Sequence, residues 1–465
     1  MAYTILFNLV ASSGALLAAS MPDFLRVIGS MAVMLGILVL VHEYGHFVVA
    51  RRFGVRVDVF SIGFGPRIFG WRRGQTDYRL SLLPLGGYVK MAGDNPIEER
   101  TGAPDEFLSK PRWQRACIAA AGPITNILTA IVLTIGLFAV YGIPVPVFLT
   151  QPAVVSGVLK NSPAEKAGVQ AGDKIVAVNG KAVNVWEELQ QVLGSAVPGK
   201  PVEIAFLRNG EKIDHIFPAL SPTESSISVA GYPYQKFTVE QPTPGMPAER
   251  AGLEPDDEIL ALNGQPVGSW YSFSEQIQAV GGQPIALLVR RGKQELHLSL
   301  NAILMTQSDG SHSWKIGVAP RFASIFRPMP LRESVVEGVV YNLRFSQMIL
   351  GGIGQLVSGR VSIKEMAGPV GIGRQSGQAV KRGAYDFIGL MALISINLAI
   401  LNLLPIPILD GGHILLLGLE AIRKRDFSIA FKERFVQVGM VFLLLLFVIV
   451  MYNDVLKLVP RKWLG

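Results

Sequence analysis

The chain has 465 residues, 50% of them hydrophobic and only 17% charged, with a mean hydropathy of +0.38. Those values exclude a disordered or fibrous chain and point to a membrane protein. The net charge of +8 raises the question of a nucleic-acid partner, whereas the single cysteine, Cys117, excludes an internal disulfide or a thiolate metal cluster and leaves six histidines and the carboxylates as candidate ligands.

Residues 1–20 read as an N-terminal extension, apolar from Ile5 to Ala19 but lacking the basic start of a signal peptide, with Met21 as an alternative start. Four spans are expected, at 21–52, 113–142, 386–410 and 435–455. Each is apolar over about the ~20 residues that a bilayer core demands of a helix. One such stretch also describes a buried core helix; four in one chain describe a multi-pass membrane protein. Between Arg51 and Arg115 there are 12 Lys/Arg against 7 Asp/Glu, and the loop 411–434 is basic as well. Lys/Arg excess marks cytoplasmic loops, so 53–112 and 411–434 are placed inside, and both termini and the long insert outside. From Pro152 to Phe322 the insert carries 14 basic and 17 acidic residues, so the positive charge belongs to membrane topology and no nucleic-acid partner is expected.

The first span contains His42-Glu43-Tyr44-Gly45-His46. Two histidines one helical turn apart share a face and can both ligate zinc, with the glutamate between them as general base. Ionisable groups inside a span are expensive and are read as functional. A catalytic zinc keeps three protein ligands, and Asp410 at the end of the third span is the best candidate for the third, with His413 as the competitor. Spans one and three both run inward, so their C-terminal ends share the cytoplasmic leaflet. His42 lies ~22 Å along the helix from Val27 in a core of ~30 Å. Pro405 and Pro407 are expected to break the third helix near Asp410, which a protein-lined or wet cavity tolerates. Asn402, expected about two turns before Asp410, is a candidate donor to a substrate carbonyl or a packing amide. In the first loop, Thr76 to Met91 alternates and turns at Pro84-Leu85-Gly86-Gly87, which predicts a β-hairpin. Its apolar content predicts that it re-enters the membrane near the metal and offers an edge strand to an extended substrate, a surface hairpin being the alternative.

The insert holds a repeat: Ser162 to Val169 returns as Met246 to Leu253, an offset of 247 − 163 = 84, which also carries Asp173 onto Asp257 and Asn179-Gly180 onto Asn263-Gly264. Each copy reads as a short helix, a strand closed by an Asn-Gly turn, a second helix and a strand. This pattern resembles the PDZ domain, with copies at 150–225 and 226–322. PDZ domains bind peptide ends at a sheet edge, and a pair that only restricts access to the membrane is the alternative. The segment 323–385 contains an expected amphipathic helix, Leu331 to Gly354, on the outer membrane surface, and the chain ends in a tail at 456–465.

In order, His42 to His46, Pro84 to Met91, Ala121-Gly122-Pro123-Ile124-Thr125-Asn126, the repeat, Gly368-Pro369-Val370-Gly371-Ile372 and Asn402 to His413 resemble the site-2 proteases, intramembrane zinc metalloproteases, from Met21 onward. The resemblance implies a multi-pass α-helical protein of the inner membrane with four transmembrane helices, a membrane-reentrant β-hairpin and two inserted α+β PDZ domains facing the periplasm. It makes His42, His46 and Asp410 ligands of Zn2+, Glu43 the catalytic base and Asn402 a support for substrate; Pro405, Pro407, Gly86 and Gly87 are the other expected substrate-binding residues. It implies the second cut in regulated intramembrane proteolysis. The substrates would be single-span membrane proteins, an anti-sigma factor of an envelope stress response after its first cleavage, and remnant signal peptides. The PDZ pair would reject substrates with a bulky exported domain. A rival from another class is a non-enzymatic PDZ-based membrane scaffold with a structural metal, which would be closed by four protein ligands. A transporter is a third possibility, although no inverted repeat of spans is visible in the sequence.

Overall fold

The structure, a computed structural model, describes residues 23–94, 102–195, 200–218, 227–243, 245–306, 311–359 and 368–458, without the side chains of 23, 83–85, 457 and 458. The expected extension 1–20, Met21 and the tail from 459 lie outside the described residues. The chain divides into a helical unit, up to 143 and again from 328 to 456, and an inserted unit, 144–327. Among the described residues, four helices are long and apolar enough to cross a membrane: Phe24–Arg52, Arg112–Val140, Ala384–Leu403 and Ile429–Leu456, here spans one to four.

Span two is the centre of the helical unit, because small and polar residues let other helices approach it closely. A Cβ on Gly45 of span one would collide with Thr125 Oγ1 and the Ala121 carbonyl. On the other side lies the helix Leu331–Val357, whose Gly338 sits against Ile135 and whose Asn342 Nδ2 donates to Thr134 Oγ1 at 3.1 Å. Further along, Phe345, Ile349 and Ile353 pack on Ala130, Ile396 and Ile400. Later residues of this helix meet earlier residues of span two, so the two run antiparallel, side by side. The helix expected on the outer membrane surface thus packs along span two through its Gly/Asn face.

Span three also departs from expectation. The expected span 386–410 ends at Leu403, and the expected loop 411–434 is largely the helix Asp410–Arg423. Pro405 and Pro407 lack the N–H groups a continuing helix needs, and a residue before proline is pushed to extended backbone, as Leu404 is (φ −62°, ψ 145°). Ile408 takes φ 80°, a costly conformation for a β-branched residue. The new helix folds back on this turn: side chains on Gly411 and Gly412 would collide with the carbonyls of Leu403, Leu404 and Ile406.

At its other end the helix Asp410–Arg423 is held by charge. Glu420, fully buried, receives Lys432 Nζ at 2.8 Å and the Phe427 N–H at 3.0 Å, with Arg115 Nη2 at 4.0 Å. This cluster joins the starts of spans two and four to the helix between them. Nearby, Arg112 Nη2 meets Asp426 at 2.7 Å, and this hydrogen-bonded guanidinium holds the Asp426 carboxyl below its usual range.

Between spans one and two, the strands Val57–Arg73 and Thr76–Met91 form one sheet. The expected hairpin turn at Pro84 to Gly87 does not pair its two arms. Phe60 faces both Val89 and Tyr78, so 57–62 lies between the arms and the second strand folds around it. The reversal between the two strands falls instead at Gly74 and Gln75.

In the inserted unit the second copy forms a sheet in the order Gln294–Asn301, Pro284–Arg291, Glu258–Leu262, Phe237–Val239 and Pro320–Phe322. The first copy has Glu211–Phe217, Val202–Arg208 and Lys174–Val178, and continues through single bridges, Val154 with Lys174 and Gly157 with Tyr232. Thr238 pairs with Glu258 at the same 84-residue offset as Val154 with Lys174, so the outer edge is also shared. Val229 and Ala230 are buried in the first copy's core, so that copy runs past the expected boundary at 225. Each copy uses one clamp. Arg208 Nε donates to Asp173 at 2.7 Å and Nη2 to the Gly168 carbonyl at 2.7 Å; Arg291 repeats this on Asp257 and Gly252 at 2.8 and 2.6 Å. The hydrogen-bonded Arg208 holds the Asp173 carboxyl below its usual range.

Replacing Glu420 with Ala strands two cations in a buried site and should destabilise the protein by about 3–5 kcal/mol. Arg112→Ala, at a solvent-accessible pair, should cost less than ~1 kcal/mol. Thermal unfolding of both variants in detergent tests this; equal losses would show that burial is not what gives the Glu420 cluster its weight.

Candidate metal centre

In span one, His42 and His46 stand one turn apart on a continuous helix, Asp23–Arg52. Their Nε2 atoms are 3.2 Å apart and both rings are buried. Asp410, the first residue of the helix that follows the broken span three, places Oδ2 3.2 Å from His42 Nε2 and Oδ1 3.5 Å from His46 Nε2. Among the described residues these three form the one group of metal-ligating side chains with ligand atoms all within 4.8 Å of one another. Separations of this size are what three ligands at ~2.0–2.2 Å from one ion impose. Two neutral imidazoles and a carboxylate also suit zinc, and three protein ligands leave the fourth position for water, as in catalytic sites. His413, the competitor for Asp410, is exposed and stands outside this group.

Span two meets the pair with residues spaced four apart on one face. His46 Nδ1 is 2.7 Å from the carbonyl of Ile118, which fixes that ring and turns Nε2 to the ion position. A Cβ on Gly122 would collide with His46 Nε2 and lie 2.7 Å from His42 Nε2, so the missing side chain is the space the centre occupies. Asn126 Nδ2 lies 3.2 Å from His42 Nδ1, and Ser395 of span three donates to the Asn126 carbonyl at 2.8 Å. Sequence reasoning gave these three residues no role; their i, i+4, i+8 spacing opposite His42 and His46 was the available signal.

Glu43 projects toward the sheet. Its carboxylate is hydrogen-bonded by the backbone N–H of Val89. The strand comes this close because Gly87 has no side chain: a Cβ there would sit 2.7 Å from the Ser61 carbonyl and 3.4 Å from Glu43 Cγ. Gly86, at φ 133°, packs under Phe64 where a Cβ would collide with the ring. Gly87 is thus next to Glu43, with Gly86 beside it in the strand. Asn402 is half-buried one residue before the end of span three, separated from Asp410 by the turn 404–409 and not by two helical turns as expected. Pro405 lies in that turn, and Pro407 meets span four, where a Cβ on Gly439 would collide with its carbonyl.

Residues 30–446 match peptidase family M50. The chain is 32% identical to the regulator of sigma-E protease RseP of Escherichia coli (strain K12), over 94% of this chain and all of that one. It is equally similar, at 32% over 94% of this chain and the whole relative, to PM1991 of Pasteurella multocida, whose name assigns it to the zinc metalloproteases. Protease RseP of Yersinia pestis is again 32% identical over 94% of this chain and all of the relative.

Gly122→Ala should remove zinc from the protein, weakening binding by at least the ~10–100-fold typical of changes beside a metal ligand. Metal analysis of the purified variant checks this, and full zinc content in a folded Gly122→Ala protein would show that the ion lies elsewhere.

Proposed function

The chain belongs to peptidase family M50, and from that premise we propose that it is an intramembrane zinc endopeptidase in which His42, His46 and Asp410 hold the ion and Glu43 is the general base. The observation that carries this is the convergence of two histidines from one apolar helix and an aspartate from a distant broken one on a single buried point. Zinc held there would lower the pKa of a bound water toward neutrality and polarise the scissile carbonyl. Glu43 takes the proton from the attacking water and passes it to the leaving amine. The Val89 N–H hydrogen bond holds the carboxylate oriented for that transfer.

The sheet segment 87–91 flanks 57–62 on one side and Glu43 on the other, which suits it to align an extended substrate along the base. Phe64, Ile68, Phe69, Trp71 and Leu82 are large apolar residues exposed on the same sheet, and they support its re-entry into the membrane. Gly86 and Gly87 shape that edge, Asn402 supports the substrate carbonyl, and the Pro405–Pro407 turn keeps the helix open beside the metal.

The substrates are single-span membrane proteins cut within their transmembrane segments. The names of the similar proteins support a role in sigma-E regulation, for which the substrate is an anti-sigma factor already trimmed at a first site. Remnant signal peptides are a second class. The two copies of the insert are PDZ domains on the periplasmic side of the inner membrane, screening substrates by the size of the exported part, while the metal lies near the cytoplasmic face. The basic loops that flank span two's inner end and span four's start support this orientation.

Glu43→Gln should retain zinc and lower cleavage of a truncated single-span substrate by about 10²–10⁴-fold or more. Co-expression with such a substrate, scoring its products by immunoblot, is the measurement. Undiminished processing by this variant would refute the protease assignment.

A further inference from the structure

A metal-bound imidazole carries hydrogen on its other nitrogen and gives it to an acceptor, which sets the tautomer and the ring plane. His46 has its acceptor in the Ile118 carbonyl. The neighbour of His42 Nδ1 is Asn126, a fully buried side chain whose Nδ2 lies 3.2 Å away and whose Oδ1 has no hydrogen-bond partner. With Nδ2 in that place, the amide donates to Nδ1. His42 then keeps its hydrogen on Nε2, the nitrogen that faces His46 and Asp410. That tautomer has no lone pair to offer an ion. Turning the amide over brings Oδ1 to the same place, where it accepts the Nδ1 hydrogen and frees Nε2.

We propose that Asn126 is the positioning residue that selects the ligating tautomer of His42, its amide set with Oδ1 accepting the Nδ1 hydrogen so that Nε2 keeps its lone pair for the ion. The residue is built for this. Its backbone is pinned to span three through Ser395 Oγ at 2.8 Å, so the side chain turns on a fixed base. It is one helical turn beyond Gly122, the residue that makes room for the ion, and two turns beyond the Ile118 carbonyl that serves His46. Removing the amide leaves His42 free to choose either tautomer and to rotate, and zinc affinity falls. An aspartate in its place can only accept, and forms the carboxylate–histidine–metal arrangement that raises ligand basicity.

This inference rests on the assignment of His42, His46 and Asp410 as zinc ligands. The test uses the full-length protein in detergent, titrated with Zn2+ against a chromophoric chelator, comparing wild type, Asn126→Leu and Asn126→Asp. Asn126→Leu, similar in size and without an acceptor, should weaken zinc binding by about 10–100-fold. Asn126→Asp should bind at least as tightly as wild type. The Co2+-loaded protein should show altered visible absorption in the Leu variant and not in the Asp variant. Wild-type affinity in Asn126→Leu overturns the proposal, as does equal weakening in both variants, which would mean packing alone. Should the Leu variant not fold, 15N chemical shifts of the His42 ring in the zinc-loaded wild type decide: a protonated Nδ1 in a hydrogen bond is expected, and a bare Nδ1 overturns it. Failure of the wild type to hold zinc through His42, His46 and Asp410 is a different result and removes the ligand assignment itself.

Discussion

An imidazole in the interior of a membrane protein has to find a partner for each nitrogen, because no bulk water is there to supply one. One face of span two meets this demand for both histidines. The Ile118 carbonyl lies against His46, Asn126 against His42, and between them Gly122 leaves the gap that the Nε2 atoms face. The three are four residues apart, so they share a face only because span two stays helical through Pro123. A rotation of that helix by one residue, ~100°, would withdraw all three together. The close packing of Gly45 on Ala121 and Thr125 opposes such a rotation, and Asn342 on Thr134 opposes it from the other side. The tight helix contacts and the metal chemistry are thus one constraint, met by the same few turns of span two.

What the sequence made legible follows the range of the signals. His42, Glu43 and His46 are readable because a metal-binding helix face repeats every four residues and lies within five positions. Asp410 is readable because the Lys/Arg bias of the loops predicts that spans one and three run the same way, and the structure places it with the pair. Ile118 is invisible to any residue-type pattern, since a backbone carbonyl does the work. Gly122 acts through an atom it lacks, and such a glycine looks like any other small residue in a membrane helix. The turn at Gly86 and Gly87 misled for a related reason: Pro-Leu-Gly-Gly signals a tight reversal, but the arms it joins straddle 57–62. Nothing local to 76–91 encodes a third segment between its arms.

The insert shows the same division. The 84-residue offset is readable, and the Asp–Arg–carbonyl clamp follows it in both copies, on Asp173 with Arg208 and on Asp257 with Arg291. The outer edge of each sheet is harder to see. Tyr232 and Pro320–Phe322 come after the rest of their copies in the chain and pair with strands near the start. A repeat search finds where similarity begins; it does not tell which copy owns a connecting segment. Burial does, and Val229 and Ala230 go with the first copy.

The position of Asp410 is set from both ends of its helix. Ahead of it is a turn with Ile408 at φ 80°, held by Gly411 and Gly412 against the carbonyls of Leu403, Leu404 and Ile406. Behind it is Glu420, buried between Lys432 and Arg115. A continuous third span would satisfy its own backbone and leave no reason for the chain to turn beside the histidines. Breaking it at Pro405 and Pro407 frees the new helix to start where the carboxylate is needed, with the negative charge at the helix N-terminus, the end the helix dipole favours. Strain of this kind persists only where the surroundings over-determine it. Here the surroundings are the glycine contacts on one side and a buried ion cluster on the other, so the aspartate's approach to the histidines is enforced by packing and charge that lie outside the metal centre.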